Sequence, residues 1–199
     1  MPPWMTSMRL APILLGVALL VFGLPSLLVD RRNRTGALLA SVYGSIVLGY
    51  TLLPLPTAAA GAAAWCAAHV KRRQFIPGRA LLDIWDAAAS ASTPLAVLWS
   101  HALLQVVFNI LLFVPLGMLV RGRTGRGAGS ALLAGALLSI GIETAQGTGL
   151  FGLYACAYRI VDVDDVAANA LGALLGALLM SALLRRRAAP ASSAGSLPT

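Results

Sequence analysis

Residues 159–184 read RIVDVDDVAANALGALLGALLMSALL. A cluster of charge, Arg159 with Asp162, Asp164 and Asp165, opens the stretch, and no charged residue follows until Arg185-Arg186-Arg187. An apolar helix needs about 20 residues to cross a bilayer. This stretch therefore reads as a membrane-spanning helix with acids at its entry and arginines at its exit. Gly172 and Gly176 give it a small-xxx-small step that lets another helix approach closely. The fold class follows from this reading: all-α, a polytopic bundle of membrane helices.

The rest of the chain agrees. It is 58% hydrophobic and 11% charged, against roughly 25% charged in an ordinary soluble domain. Four further apolar stretches, near 10–29, 36–56, 101–120 and 128–146, join 163–184 to make five predicted spans. Arginines cluster in alternate gaps: Arg31, Arg32 and Arg34, then Arg121, Arg123 and Arg126, then Arg185 to Arg187. The positive-inside rule puts those gaps in the cytoplasm, so the N-terminus is expected outside and the C-terminus inside. Six of the seven acids, all but Asp30, then fall at the outer side, and the whole net charge of +8 lies within. The Lys71-Arg72-Arg73 run dissents, but it sits in a long loop, where charge counts for less. The same distribution accounts for the basic character without nucleic acid, for which no aromatic-basic RNA motif or zinc finger is present. Segment 10–29 is not a cleavable signal peptide, because its stronger charge follows the apolar stretch and no Ala-x-Ala site comes after.

Four regions are expected. Residues 1–56 form a two-helix membrane segment, 57–100 an extracytoplasmic loop, 101–184 a three-helix core, and 185–199 a disordered cytoplasmic tail. In the loop, Trp65, Phe75, Ile76, Leu81, Leu82, Ile84 and Trp85 interleave with Arg79, Asp83 and Asp86. Two readings are open: short amphipathic helices lying in the membrane interface, or a loop packed on the bundle. Cys66 and Cys156 both fall outside, where an oxidising envelope would allow a disulfide; coincidence gives the same placement.

A charged side chain at the centre of a span costs roughly 2.5 to 3.5 kcal/mol, so the polar residues of the core are candidates for a site. Glu143 and Gln146 share a helix face within about a turn of the outer end. Asp162, Asp165 and Asn169 lie at i, i+3 and i+7 on one stripe, with Asp164 pointing elsewhere. Asp162 also suits a helix N-cap. Asn109 is an amide in the outer half of its span, open both to an interhelical hydrogen bond and to a ligand contact, and Pro115 should kink that helix. Arg159 could grip a carboxylate or a phosphate. Three helices thus present polar groups at one level. Glu143 and Asp165 are the candidate acid–base residues, with Asn109, Gln146, Arg159, Asp162 and Asn169 as candidate binding residues. No cofactor or metal is expected: His69 and His101 are isolated, no P-loop or dinucleotide fingerprint is present, and the acids lack any established cage spacing.

These motifs resemble the VanZ-like membrane proteins. The carriers are Asn109 to Gly117 (NILLFVPLG), Ser139 with Ile142-Glu143 and Gln146, and Arg159, Asp162-Val163-Asp164-Asp165, Asn169 and Gly172. Phe75-Ile76-Pro77 is similar to a further family stretch, with Gln74 where Asn is usual. The resemblance spans roughly residues 50 to 180 and implies a small helical bundle in the bacterial cytoplasmic membrane. The family's named member is associated with low-level resistance to teicoplanin, a lipid-bearing glycopeptide. Two functions are expected to compete. One is head-group chemistry on a membrane lipid or lipid-linked precursor; the other is a non-catalytic role in binding such molecules or as a scaffold.

Overall fold

The computed structural model describes residues 16, 24, 34–53, 66, 67 and 73–188. The predicted span at 10–29, most of the 57–72 loop and the tail beyond 188 lie outside them. Six helices are described, besides a single helical turn at Gly149–Gly152. They are α1 (Arg34–Leu52), α2 (Arg79–Ser90), α3 (Pro94–Leu98), α4 (His101–Thr124), α5 (Ala128–Gly147) and α6 (Val163–Ala188). Helices α1, α4, α5 and α6 are each long and apolar enough to cross a membrane. The all-α polytopic bundle expected from the sequence is therefore the fold observed.

The core is built from small side chains and close backbones. A Cβ on Gly172 or Gly176 would fall on the carbonyl of Ile110 or Val114, and one on Gly117 would fall on that of Ala173. Helix α6 thus lies directly against α4, the approach that small residues permit between membrane helices. Helix α5 closes the other side of α6, with Ala131, Gly135, Ser139 and Ile142 buried along one stripe. Helix α1 adds Tyr43 and Val47 to a cluster with Phe113, Ile142 and Ala173. The Tyr43 hydroxyl donates to the Leu112 carbonyl at 2.9 Å. Leucines and valines on the outside of α1, α4 and α5 are left exposed, as a bundle surface facing hydrocarbon requires.

Two helix ends run beyond expectation. Helix α4 continues through Pro115 and past residue 120 until Gly125, whose positive φ of 66° closes it with a bond to the Arg121 carbonyl. Helix α6 extends to Ala188 and so takes in the first residues of the predicted tail, with Arg185 to Arg187 in its last turn. Basic side chains there favour helix, because they offset the negative end of its dipole. A contact between Arg121 Nε and Ser181 Oγ, 2.9 Å, ties these two arginine-bearing ends together.

At the opposite end, the segment before α2 is pinned to the start of α6. Gln74 donates to the Val161 carbonyl (2.7 Å) and accepts from the Val163 amide (3.1 Å), a single parallel bridge. Helix α2 lies against α4 at the rim of the bundle, with none of its residues buried and Leu81, Leu82 and Trp85 exposed. Cys66 and Cys156 form a disulfide, so of the two readings of their shared side the bonded one holds. The connection from α5 to Cys156 needs Gly149: its φ is +64°, and a Cβ there would press on the Tyr154 and Cys156 carbonyls.

Candidate functional site

The non-arginine end of α5 and α6 carries most of the polar residues singled out from the sequence. Asp162 caps α6 as expected, its Oδ1 accepting from the Asp164 amide at 2.9 Å. Its own backbone amide donates to Glu143 Oε2 on α5, also at 2.9 Å. This bond holds one oxygen of a glutamate that is only 7% exposed. Among the described residues nothing donates to Glu143 Oε1 or to Asp162 Oδ2. Burial pushes the Asp162 carboxyl above the usual carboxylate range, opposed by the Asp164 amide and reinforced by the Asp165, Asp164 and Asp83 charges.

Both acids line an open cleft of about 370 Å³. Its walls are Phe75, Ile140, Val161, Val163 and Val166, with Thr144, Gly147 and Thr148 at the end of α5, and Arg73 brings a cation to it. Both threonine hydroxyls are occupied, Thr144 donating to the Ile140 carbonyl (2.7 Å) and Thr148 to the Thr144 carbonyl (2.6 Å).

The other candidates surround this cleft without lining it. Asp165 faces α4, where its Oδ1 accepts from Asn109 at 2.6 Å and from Gln105 at 3.1 Å. Asn169 faces α5 and donates to Ser139 Oγ at 2.8 Å; its own Oδ1 is buried with no partner among the described residues. Gln146 donates to the Thr51 carbonyl (2.6 Å) and Arg159 to the Leu53 carbonyl (3.3 Å). Those two side chains therefore satisfy orphan carbonyls at the end of α1, which a helix C-terminus always leaves. Arg159 grips no carboxylate directly, although its charge acts on both Glu143 and Asp165. Beside it Tyr158 is buried, and burial pushes its phenol up to about 12.

Asp164 serves a different purpose. Its two oxygens accept from the Gly78 and Ala80 amides at 2.7 and 2.8 Å, closing the N-terminus of α2. That fits its predicted place off the stripe of Asp162, Asp165 and Asn169. The bridge at Gln74 is made by backbone, and its side chain donates to the nearby Ile76 carbonyl at 2.7 Å. An exchange of Asn for Gln there leaves the bridge in place.

Three participants were not singled out for the site from the sequence. Gln105 lies four residues before Asn109, and Ser139 four before Glu143, so each shares a helix face with a chosen residue. Arg73 carried a signal of another kind, as part of the basic run that broke the charge bias.

Fold and site together define a multi-pass membrane protein with an apolar-walled cleft at one end of the bundle that carries the carboxyls of Glu143 and Asp162. The chain belongs to the VanZ/LLP1 family, whose model matches residues 40–185 and so spans α4 and α5 and most of α1 and α6. No curated protein and no solved structure matched it.

Proposed function

We propose that the cleft is a lipid head-group site on the outer face of the bacterial cytoplasmic membrane. In it, Glu143 acts as general base or acid on a membrane lipid or a lipid-linked envelope precursor. The observation that carries this reading is Glu143 itself: a buried carboxylate lining a cleft, one oxygen fixed by the Asp162 amide and the other unbonded. A fixed carboxylate with a free oxygen can take a proton from an attacking water or alcohol, which suits head-group hydrolysis or transfer. Asp165, bonded to Asn109 and Gln105, is a positioning residue that holds the start of α6 in place. The outward orientation rests on the arginine bias and on the disulfide, which belongs in an oxidising compartment.

A non-catalytic reading has one observation in its favour. The hydroxyls in the cleft, Thr144 and Thr148, donate to backbone carbonyls, so neither is held ready as a nucleophile. On that reading the cleft holds a head group, or a lipid-bearing glycopeptide such as teicoplanin, unchanged. Mass spectrometry of membrane lipids and lipid-linked precursors separates the two, in cells expressing wild type or Glu143→Gln at matched levels. Catalysis predicts a species that appears or vanishes with wild type only. Identical profiles from two well-folded proteins would leave binding as the function.

A further inference from the structure

The cleft runs back along α5 from its end. Ile140 lines it seven residues before Gly147 ends that helix, which at 1.5 Å per residue is about 10 Å along its axis. From Ile140 an exposed apolar stripe continues along α5 through Leu137 and Leu133, which are 49, 60 and 57% exposed in that order. Spacings of three and four keep these side chains on one face. An opening that joins such a stripe faces acyl chains as well as water. A soluble ligand gains nothing from it; an amphiphile can lay its tail there and keep its head among the polar groups.

The charges describe that head. Arg73 offers a cation without a carboxylate within ion-pair distance, since among the described residues the single ion pair is Arg79–Asp83. The same cleft is lined by Glu143 and Asp162, whose Oε1 and Oδ2 are unbonded among the described residues, on groups that only accept when ionised. Arg159 acts on Glu143 from outside the lining, but Asp162 sits among the charges of Asp165, Asp164 and Asp83, so among the described residues the acids at this end outnumber the bases and a further cation would offset them. Resting on the head-group reading above, we propose that the cleft selects a phospholipid whose head carries a primary ammonium beside its phosphate, and that this lipid enters sideways from the bilayer along α5. Arg73 takes the phosphate, and the ammonium donates to Asp162 Oδ2, which leaves Glu143 Oε1 free to take the proton. A quaternary ammonium has the same charge but no N–H to donate, so it is the discriminating control. This assignment also gives a reason for a basic residue at Arg73, within the run that opposes the charge bias of the other arginine gaps.

The test uses the full-length protein in detergent, with native mass spectrometry after incubation with equal amounts of three phospholipids of identical acyl chains. Their heads are ethanolamine, choline and glycerol. Ethanolamine lipid should be retained about tenfold over choline lipid, the worth of one charge-assisted hydrogen bond. Arg73→Gln, at an exposed position, should lower retention of the ethanolamine lipid, and Asp162→Asn should narrow its margin over choline lipid. Equal retention of the choline lipid, preference for the glycerol lipid, or an unchanged Arg73→Gln variant would overturn the assignment while leaving a lipid site in place. If no lipid stays bound, the head-group reading falls with it. The wild-type comparison decides even if Asp162→Asn fails to fold.

Discussion

Three aspartates within four residues of one another do three different jobs, and the difference lies in what each side chain reaches. Asp162 caps its own helix, Asp164 caps α2, and Asp165 binds two amides on α4. Asp164→Ala should cost about 1 to 2 kcal/mol, as loss of an N-cap does. It should also speed hydrogen exchange at Ala80 to Leu82; unchanged exchange would contradict the capping role. Asp165→Ala strands the Asn109 amide, and should lower stability by about 1 to 3 kcal/mol, read as an earlier thermal transition in detergent. Helical spacing made part of this legible, since it separates Asp164 from the stripe of Asp162 and Asp165. Spacing along one helix cannot say which helix lies opposite. That is why Gln146 and Arg159, chosen as ligand contacts, turn out to hold the end of α1. Arg73 was harder still, because a long loop gives no periodicity from which to place it.

At the scale of elements, the helices were legible because bilayer thickness and apolar length constrain each other. Their ends were less so, because arginines at a helix C-terminus continue the helix while reading as the edge of a span. The close packing of α4 on α6 was foreshadowed by Gly172 and Gly176, but abundant Gly and Ala elsewhere in the chain hid the partner. The structure supplies it in the carbonyls of Ile110 and Val114. Gly176→Val should force those helices apart and cost about 1 to 3 kcal/mol or more, since backbone cannot yield as a side chain would. Reduced yield of folded protein and a lower unfolding temperature are the expected readouts. Wild-type stability in this variant would mean that the contact is looser than described. Helix α2 forms within the loop expected to be amphipathic, with Leu81, Leu82 and Trp85 uncovered and its start tied to α6 by Asp164.

For the whole molecule, sidedness joins the arginine bias to the disulfide. If the cleft end faces an oxidising compartment, Cys66 and Cys156 should resist thiol-specific labelling in intact cells and become reactive only after reduction. Free thiols in freshly lysed cells, blocked before air oxidation, would place the cleft on the cytoplasmic side instead. The central claim, however, concerns what the cleft does. Its most direct test is the purified protein in vesicles of defined lipid composition, with head-group release or transfer followed by mass spectrometry over time. The account predicts turnover by wild type, loss of turnover in Glu143→Gln with its fold retained, and partial loss in Asp165→Asn. Turnover by Glu143→Gln equal to that of wild type would contradict it.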